Sequence, residues 1–209
     1  MTPDSKVEIV DITRKSEYET YLYRCLAPIP SRKYKKRHSY LEAAIPKGFH
    51  KKLLIFDGKV VGQIEYAPAD VSGYPIIGGN VIVMNCIWVL RKAKGHNFGK
   101  RLMNNMMKSE KNASGFATIA LENHWSPWLK KEQMEKLGFK SIDSIKVTHK
   151  TKHRGQRFKI HLMWLPTAIE NTNPPTWSKS KLLEGIDFCL AHPLYHPEKP
   201  KLKEILEKC

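Results

Sequence analysis

Between Val81 and Leu102 an apolar run, VIVMNCIWVL, passes through RKAKGHNFG into a segment that opens KRLMNNMM. That order demands a buried strand, a glycine-bearing turn and a helix with a basic first turn. Glycine lets the backbone approach a ligand closely, and the free N–H groups of a helix start carry partial positive charge, so the turn reads as an anion cradle. The surrounding residues exclude two phosphate-binding patterns. A Walker loop needs lysine and then serine or threonine after its last glycine, whereas Gly99 is followed by Lys100 and Arg101. A dinucleotide turn needs GxGxxG and an acidic residue about 20 positions later; only Gly95 and Gly99 are present.

Strands and helices around the cradle follow from local signals. Val7 to Ile12 reads as a first strand, and Ser16 with Glu19 forms a capping box before a helix to about Leu26. Pro28 and Pro30 stop it, and a basic helix or loop runs from Ser31 to Ala44. Leu53–Phe56 and Val60–Tyr66 form a hairpin across Asp57-Gly58. Pro68 to Gly79 is a loop, and the central strand runs from about Asn80 to Leu90. The next helix extends to about Asn112, with Phe98, Leu102 and Met106 as a core stripe. Phe116–Glu122 (FATIALE) is a strand, and Pro127–Leu137 a helix with Ser126 as N-cap and Gly138 as its stop. Lys140–His149 and Phe158–Leu165 are the last two strands, linked through Gly155.

Two windows of this layout resemble the GNAT superfamily of acyl-CoA-dependent N-acyltransferases. Val89, Lys94, Gly95, Phe98, Gly99 and Leu102 match the family's pyrophosphate loop, in which Arg/Gln-x-x-Gly-x-Gly/Ala precedes an apolar helix. Arg91 stands where proline is common, and Asn97 where the first motif glycine belongs. Asparagine tolerates left-handed backbone angles better than other side chains, so the loop keeps its shape. Downstream, MEKLGF resembles the family's YEKLGF, with Met134 in place of the tyrosine that often protonates the departing thiolate in relatives.

The resemblance implies an α+β GNAT fold: a mixed sheet of about seven strands, a splayed central pair and about four helices. It covers residues 1–166 as the acyltransferase domain, leaving 167–209 as a C-terminal extension. The extension packs on the domain, because Trp177, Leu182, Leu183, Ile186, Phe188 and Tyr195 are too apolar for a free tail. The implied cosubstrate is acetyl-CoA or another acyl-CoA, and the implied reaction is direct attack of an amine on the thioester. Ile87, Trp88 and Val89 would meet the pantetheine arm. Lys94, Gly95, His96, Asn97, Phe98, Gly99, Lys100 and Arg101 would take the pyrophosphate, with Asn123 and Trp128 as further contacts. The attacking amine must lose a proton; the candidate bases are Glu122, then Glu65, then His124. Each has a plainer reading: Glu122 as a helix cap, Glu65 as a solvent-facing strand residue, His124 as a loop histidine.

The N-terminus lacks a secretory layout, and no apolar run approaches the ~18 residues of a membrane span, so a cytoplasmic chain without a membrane partner is expected. Cys25, Cys86, Cys189 and Cys209 are widely spaced and read as reduced thiols. Cys189, His192 and His196 form C-x2-H-x3-H, one ligand short of a structural zinc site, so no metal is assigned. The net charge of +16 exceeds what one coenzyme requires. Arg32–His38 and Lys146–Lys159 fall where the family builds its acceptor side, which suggests an anionic acceptor or an acceptor on an anionic macromolecule. Two other readings stand beside the enzyme. Basic clusters interleaved with Tyr34, Tyr40, Phe49 and Phe158 suit an RNA- or ribosome-binding module, although no nucleic-acid motif accompanies them. A degenerate domain that binds acyl-CoA without transferring the acyl group is the other.

Overall fold

The computed structural model describes residues 6–13, 15–23, 37–125, 127–149, 156–168, 172–183 and 206–209. Among them an eight-stranded sheet runs β1-β2-β3-β5-β6-β8-β7-β10. Its strands are β1 (Val7–Asp11), β2 (His50–Phe56), β3 (Lys59–Pro68), β5 (Val81–Val89), β6 (Gly115–Glu122), β7 (Lys140–His149), β8 (Arg157–Pro166) and β10 (Leu206–Lys208). Seven of these are the expected strands, and β10 adds an eighth from the tail. A separate two-stranded ladder pairs β4 (Ile76–Ile77) with β9 (Thr176–Trp177). The helices are α1 (Glu19–Leu22), α2 (Arg37–Ala44), α3 (Phe98–Ser109), α4 (Lys131–Lys136) and α5 (Lys179–Leu183).

Side-chain alternation assigns the helices to faces. Ala67 of β3 and Leu53 of β2 pack with Leu41 and Ala44 of α2, whereas Lys52 donates to Asn105 and Ser109 of α3 on the opposite face. Leu102 of α3 approaches Gly62 so closely that an added Cβ would lie 3.3 Å from it. Ala117 of β6 lies beside Val83, which in turn pairs with Ala67. Odd residues of β6 therefore face α2 and even ones face α3. Glu122 is even and bonds Lys131 of α4, so α3 and α4 share one face.

The hairpin turn forms as its sequence requires: Asp57 and Gly58 both take positive φ, 48° and 73°, the combination that matches the twist of a two-residue hairpin. The tail is tied in by Leu182, 2% exposed, and by Asp143, whose carboxylate accepts from Trp177 Nε1 and Lys179 Nζ at 2.7 Å each. The helix expected over Pro127–Leu137 is shorter. Leu129 takes φ 45°, Lys130 is extended, and the Leu129 carbonyl accepts the Leu121 N–H at 2.7 Å. Residues 129–130 thus serve the edge of β6, and the helix starts at Lys131 without a side-chain cap. Ser126, the expected cap, lies outside the described residues, as do Gly155, Arg32–Lys36, Cys25, Cys189, His192 and His196.

The strand pair β5–β6 is the irregular part of the sheet. Parallel pairing joins Val81, Ile82 and Val83 to Gly115, Phe116 and Ala117 and goes no further. At the point of parting the Thr118 hydroxyl donates to the Met84 carbonyl at 2.8 Å. On the other side of β5 a bulge makes Asn85 the extra residue, since Tyr66 pairs with Met84 and Glu65 with Cys86. A bulge bends and twists its strand, and it lies where β5 leaves β6. Thr118→Val keeps the side-chain shape but strips a buried carbonyl of its donor, so stability should fall by about 1–3 kcal/mol in urea titration. An unchanged midpoint would mean that the hydroxyl does not hold this junction.

Candidate active site

Beyond Val83 and Ala117 the two strands leave a slot. Which groups of β5 line it follows from the ladder on its far side. The Leu90 N–H bonds the Val61 carbonyl at 2.8 Å. Antiparallel alternation then turns the backbones of Trp88 and Cys86 towards β3 and those of Ile87 and Val89 away from it, into the slot. At the slot's open end Trp88 meets Trp128 edge to face, with ring centroids 6.0 Å apart. The Trp88 indole N–H is buried without a hydrogen-bond partner.

The cradle closes the end of β5. A single 3-10 turn, Arg91–Ala93, leads to Lys94 and then Gly95 at φ 92°. Asn97 is the N-cap of α3 and is left-handed, φ 55° and ψ 24°, as expected for an asparagine in place of glycine. Its side chain makes no capping bond, while its carbonyl accepts the Arg101 N–H at 3.0 Å. The N–H groups of the first turn are therefore not capped by the Asn97 side chain, which is what an anion-binding helix start requires. A Cβ added to Gly95 or Gly99 would meet nothing within 4 Å, so both glycines border open space. Lys94, His96, Lys100 and Arg101 are exposed around it.

The three candidate carboxylate and imidazole bases lie in different places. Parallel register sets Val83 level with Ala117, which puts Glu122 level with Trp88 and His124 level with Leu90, near the cradle. Glu122 lies on the α3–α4 face, bonded by Lys131 at 3.2 Å and Lys159 at 3.0 Å, with His161 Nε2 at 3.5 Å. The hydrogen bond from Lys159 is the largest influence on it. Together with Lys131 it outweighs desolvation and holds the carboxyl down at about 2. Such a group is a weak base; its geometry is that of a clamp between α4 and the sheet. His161, 5% exposed, is shifted below the ordinary histidine range chiefly by burial, and its Nδ1 lies 2.8 Å from the Ser141 hydroxyl.

His124 rests against Phe158, ring centroids 4.6 Å apart. Asn123 is exposed and left-handed at φ 61°. Glu65 is not the solvent-facing strand residue of the plainer sequence reading: it is 1% exposed and paired with the fully buried Lys51 at 2.8 Å. The Gln63 amide lies 3.4 Å from Glu65 and 4.0 Å from the Cys86 sulfur. This polar row crosses β2, β3 and β5 on the face opposite α3. Sequence reading missed Lys51 and Gln63, since neither stands in a motif; Gln63 shows only polar alternation within an apolar hairpin, and Lys51 only a place in the polar run His50-Lys51-Lys52. Among the described residues no cluster of three metal-ligating side chains occurs, and no helix is long and apolar enough to cross a membrane.

The Glu122 clamp has a definite pH signature. Its folded-state value of about 2 lies below the unfolded one of about 4.3. Its contribution is therefore complete above the unfolded value and vanishes as pH falls through about 2. In thermal melts from pH 7 to 2, the gap between the protein and Glu122→Gln should be constant above about pH 5 and close on acidification. A gap independent of pH would refute the clamp.

Comparison with known proteins follows the same lines. The family model described as acetyltransferase (GNAT) family matches residues 14–127, more than half of the chain. No curated protein matches the sequence. Among solved structures, the ribosomal-protein-S18-alanine N-acetyltransferase of Escherichia coli superposes with a TM-score of 0.54 at 13% identity, over 81% of this chain and 100% of that one. An N-acetyltransferase from Staphylococcus aureus Mu50 gives 0.53 at 12%, over 78% and 99%. A GNAT family acetyltransferase from Elizabethkingia anophelis, solved with acetyl-CoA bound, gives 0.51 at 16%, over 77% and 98%. At these identities the superpositions speak for the fold, and the family match for the kind of enzyme. The chain belongs to the GNAT family of acetyltransferases.

Proposed function

We propose that this protein is an N-acetyltransferase that holds acetyl-CoA along the slot between β5 and β6 and presents its thioester to an amine. The observation that carries the reading is the end of β5–β6 pairing at Val83 and Ala117, directly below a cradle of free helix-start amides. The open space at Gly95 and Gly99 fits a diphosphate there. From Leu90 to Asn85 is roughly 17 Å of strand at ~3.4 Å per residue. A pantetheine arm, two amide units with their linkers, spans a similar length. The thioester end then lies level with the bulge at Asn85.

When bound, acyl-CoA supplies the carbonyl that the amine attacks. The chain's own groups do the rest. Amides from Gly95 to Lys100 take the diphosphate, with Lys94, Lys100 and Arg101 adding charge-assisted contacts. Ile87 and Val89 offer peptide-like hydrogen bonds to the arm, and Asn123 and Trp128 stand at the slot's open end. A main-chain N–H of β5 near the bulge stabilises the developing oxyanion. Glu65 is paired in register with Cys86, level with the reacting end, whereas Glu122 and His124 lie nearer the cradle. We therefore assign the amine's proton to Glu65, with Lys51 fixing its carboxylate. The acceptor is an amine that is itself anionic or is carried on an anionic macromolecule, in keeping with the +16 charge, and the site of action is the cytoplasm.

Incubation with acetyl-CoA and a panel of amines, amino sugars, polyamines, peptides and phosphorylated acceptors should release free thiol with at least one of them. Thermal stabilisation by CoA with no thiol release across the panel would favour the binding-only alternative. Gly99→Glu should leave the melting temperature without ligand nearly unchanged, because the new side chain enters open space, yet abolish stabilisation by CoA. Retained stabilisation would place the diphosphate elsewhere. Glu65→Gln should lower kcat about 10²-fold or more while the Kd for CoA is kept, and full activity would remove Glu65 from the proton path.

A further inference from the structure

Away from the slot, three side chains that the proposed transfer does not use stand in line on the α3–α4 face of the sheet. Ser141 Oγ of β7 lies 2.8 Å from His161 Nδ1 of β8, and His161 Nε2 lies 3.5 Å from Glu122 Oε2 of β6. A carboxylate can only accept, so the proton of the neutral imidazole belongs on Nε2, towards Glu122. That nitrogen is buried and has no hydrogen bond of its own, which leaves the Glu122 charge to fix the tautomer. Nδ1 then carries a lone pair, and the Ser141 hydroxyl donates to it. Other hydroxyls in the molecule bond differently: those of Ser72, Thr118 and Thr148 donate to the carbonyls of Ala69, Met84 and Gln156. A carbonyl does not take up a proton at neutral pH, whereas an imidazole does.

Strand β7 also bulges at this point. Ser141 pairs with Met163 and Asp143 with Leu162, so Ile142, the residue after the hydroxyl, has no opposite number in β8. Asp143 pins the bulge, because its carboxylate accepts from Trp177 and Lys179. Bulges re-aim side chains, and Ser141 and Ile142 are both exposed. A hydroxyl bonded to a neutral imidazole that a carboxylate orients is the constellation of an activated nucleophile. The geometry points to Ser141 as an acyl-accepting nucleophile for small activated acyl esters, with His161 as its base, Glu122 positioning that base and the Ile142 N–H as donor to the oxyanion. In the step, Ser141 Oγ bonds the acyl carbon while the bond to the leaving oxygen breaks, and the serine proton passes through His161 Nδ1 to that oxygen. Water cleaves the new ester by the same route, giving up one proton through His161 to Ser141 Oγ and releasing the carboxylic acid.

p-Nitrophenyl acetate tests this on the intact protein, since it carries an acetyl group and no coenzyme to occupy the slot. Peptide mass spectrometry should find an acetyl group on Ser141, formed about 10²-fold or more faster than on other serines. Burial is the largest influence on His161, with Lys131 and Lys159 acting the same way and Glu122 against them, and the balance lies below the ordinary histidine range. The acylation rate should therefore rise with pH and level off, with a midpoint below about 6.5. Ser141→Ala changes an exposed side chain and should keep the melting temperature while abolishing the label; His161→Gln should slow acylation of Ser141 about 10²-fold. Acylation of Ser141 no faster than that of other exposed serines overturns the assignment. So does a rate in the unaltered protein that climbs without a plateau up to pH 9, or one unmoved by His161→Gln.

Discussion

The parting of β5 from β6 after three residue pairs governs the rest of the molecule, because every strand edge opened inside a sheet exposes groups that must find other partners. The chain supplies them one at a time. Thr118 Oγ1 serves the Met84 carbonyl, the Tyr74 hydroxyl serves the Asn85 carbonyl at 3.2 Å, and the Leu129 carbonyl serves the Leu121 N–H. Each replaced bond spares a desolvation cost of about 1–3 kcal/mol. The substitutions stop at the cradle end, where Ile87 and Val89 leave a strand edge unpaired with β6, the edge to which the proposed function assigns a ligand of peptide-like chemistry. A site of this kind is a piece of sheet left unfinished.

The same accounting explains which sequence expectations held. The cradle was readable because its glycines and Asn97 are demanded by backbone angles, and such demands are local: φ 92° at Gly95 and 55° at Asn97 are what those residue types tolerate best. The hairpin at Asp57-Gly58 was readable for the same reason. The helix after β6 starts later than its local signals imply, because the need that recruits Leu129 and Lys130 arises from an edge eight or nine residues earlier in the chain. Proline and serine signals carry no information about that edge.

Buried polar residues were harder still. Gln63 and Glu65 alternate with less polar neighbours, as solvent-facing strand residues do, and Lys51 stands in the polar run His50-Lys51-Lys52; only the cover over that face makes the three interior. The cost of burying an ion pair is large unless geometry and further hydrogen bonds offset it, so a row of three such residues under one face is an expensive way to stabilise a sheet. Its position beside the bulge is what supports the proposed use, a fixed carboxylate at the reacting end of the slot.

Face and level together are what separate the three candidate bases, and sequence provides neither. Glu122 sits at the end of the right strand, but one residue of alternation turns it to the α4 side, where Lys159 and Lys131 keep it charged. His124 lies against Phe158, yet at the height of the cradle, well away from the level proposed for the thioester. Glu65 alone combines the face opposite α3 with the register of Cys86. A carboxylate held by Lys51 at 2.8 Å has a fixed position. In the proposed direct attack on a thioester such fixity is an advantage, since holding the reacting groups in line is among the largest contributions to the rate.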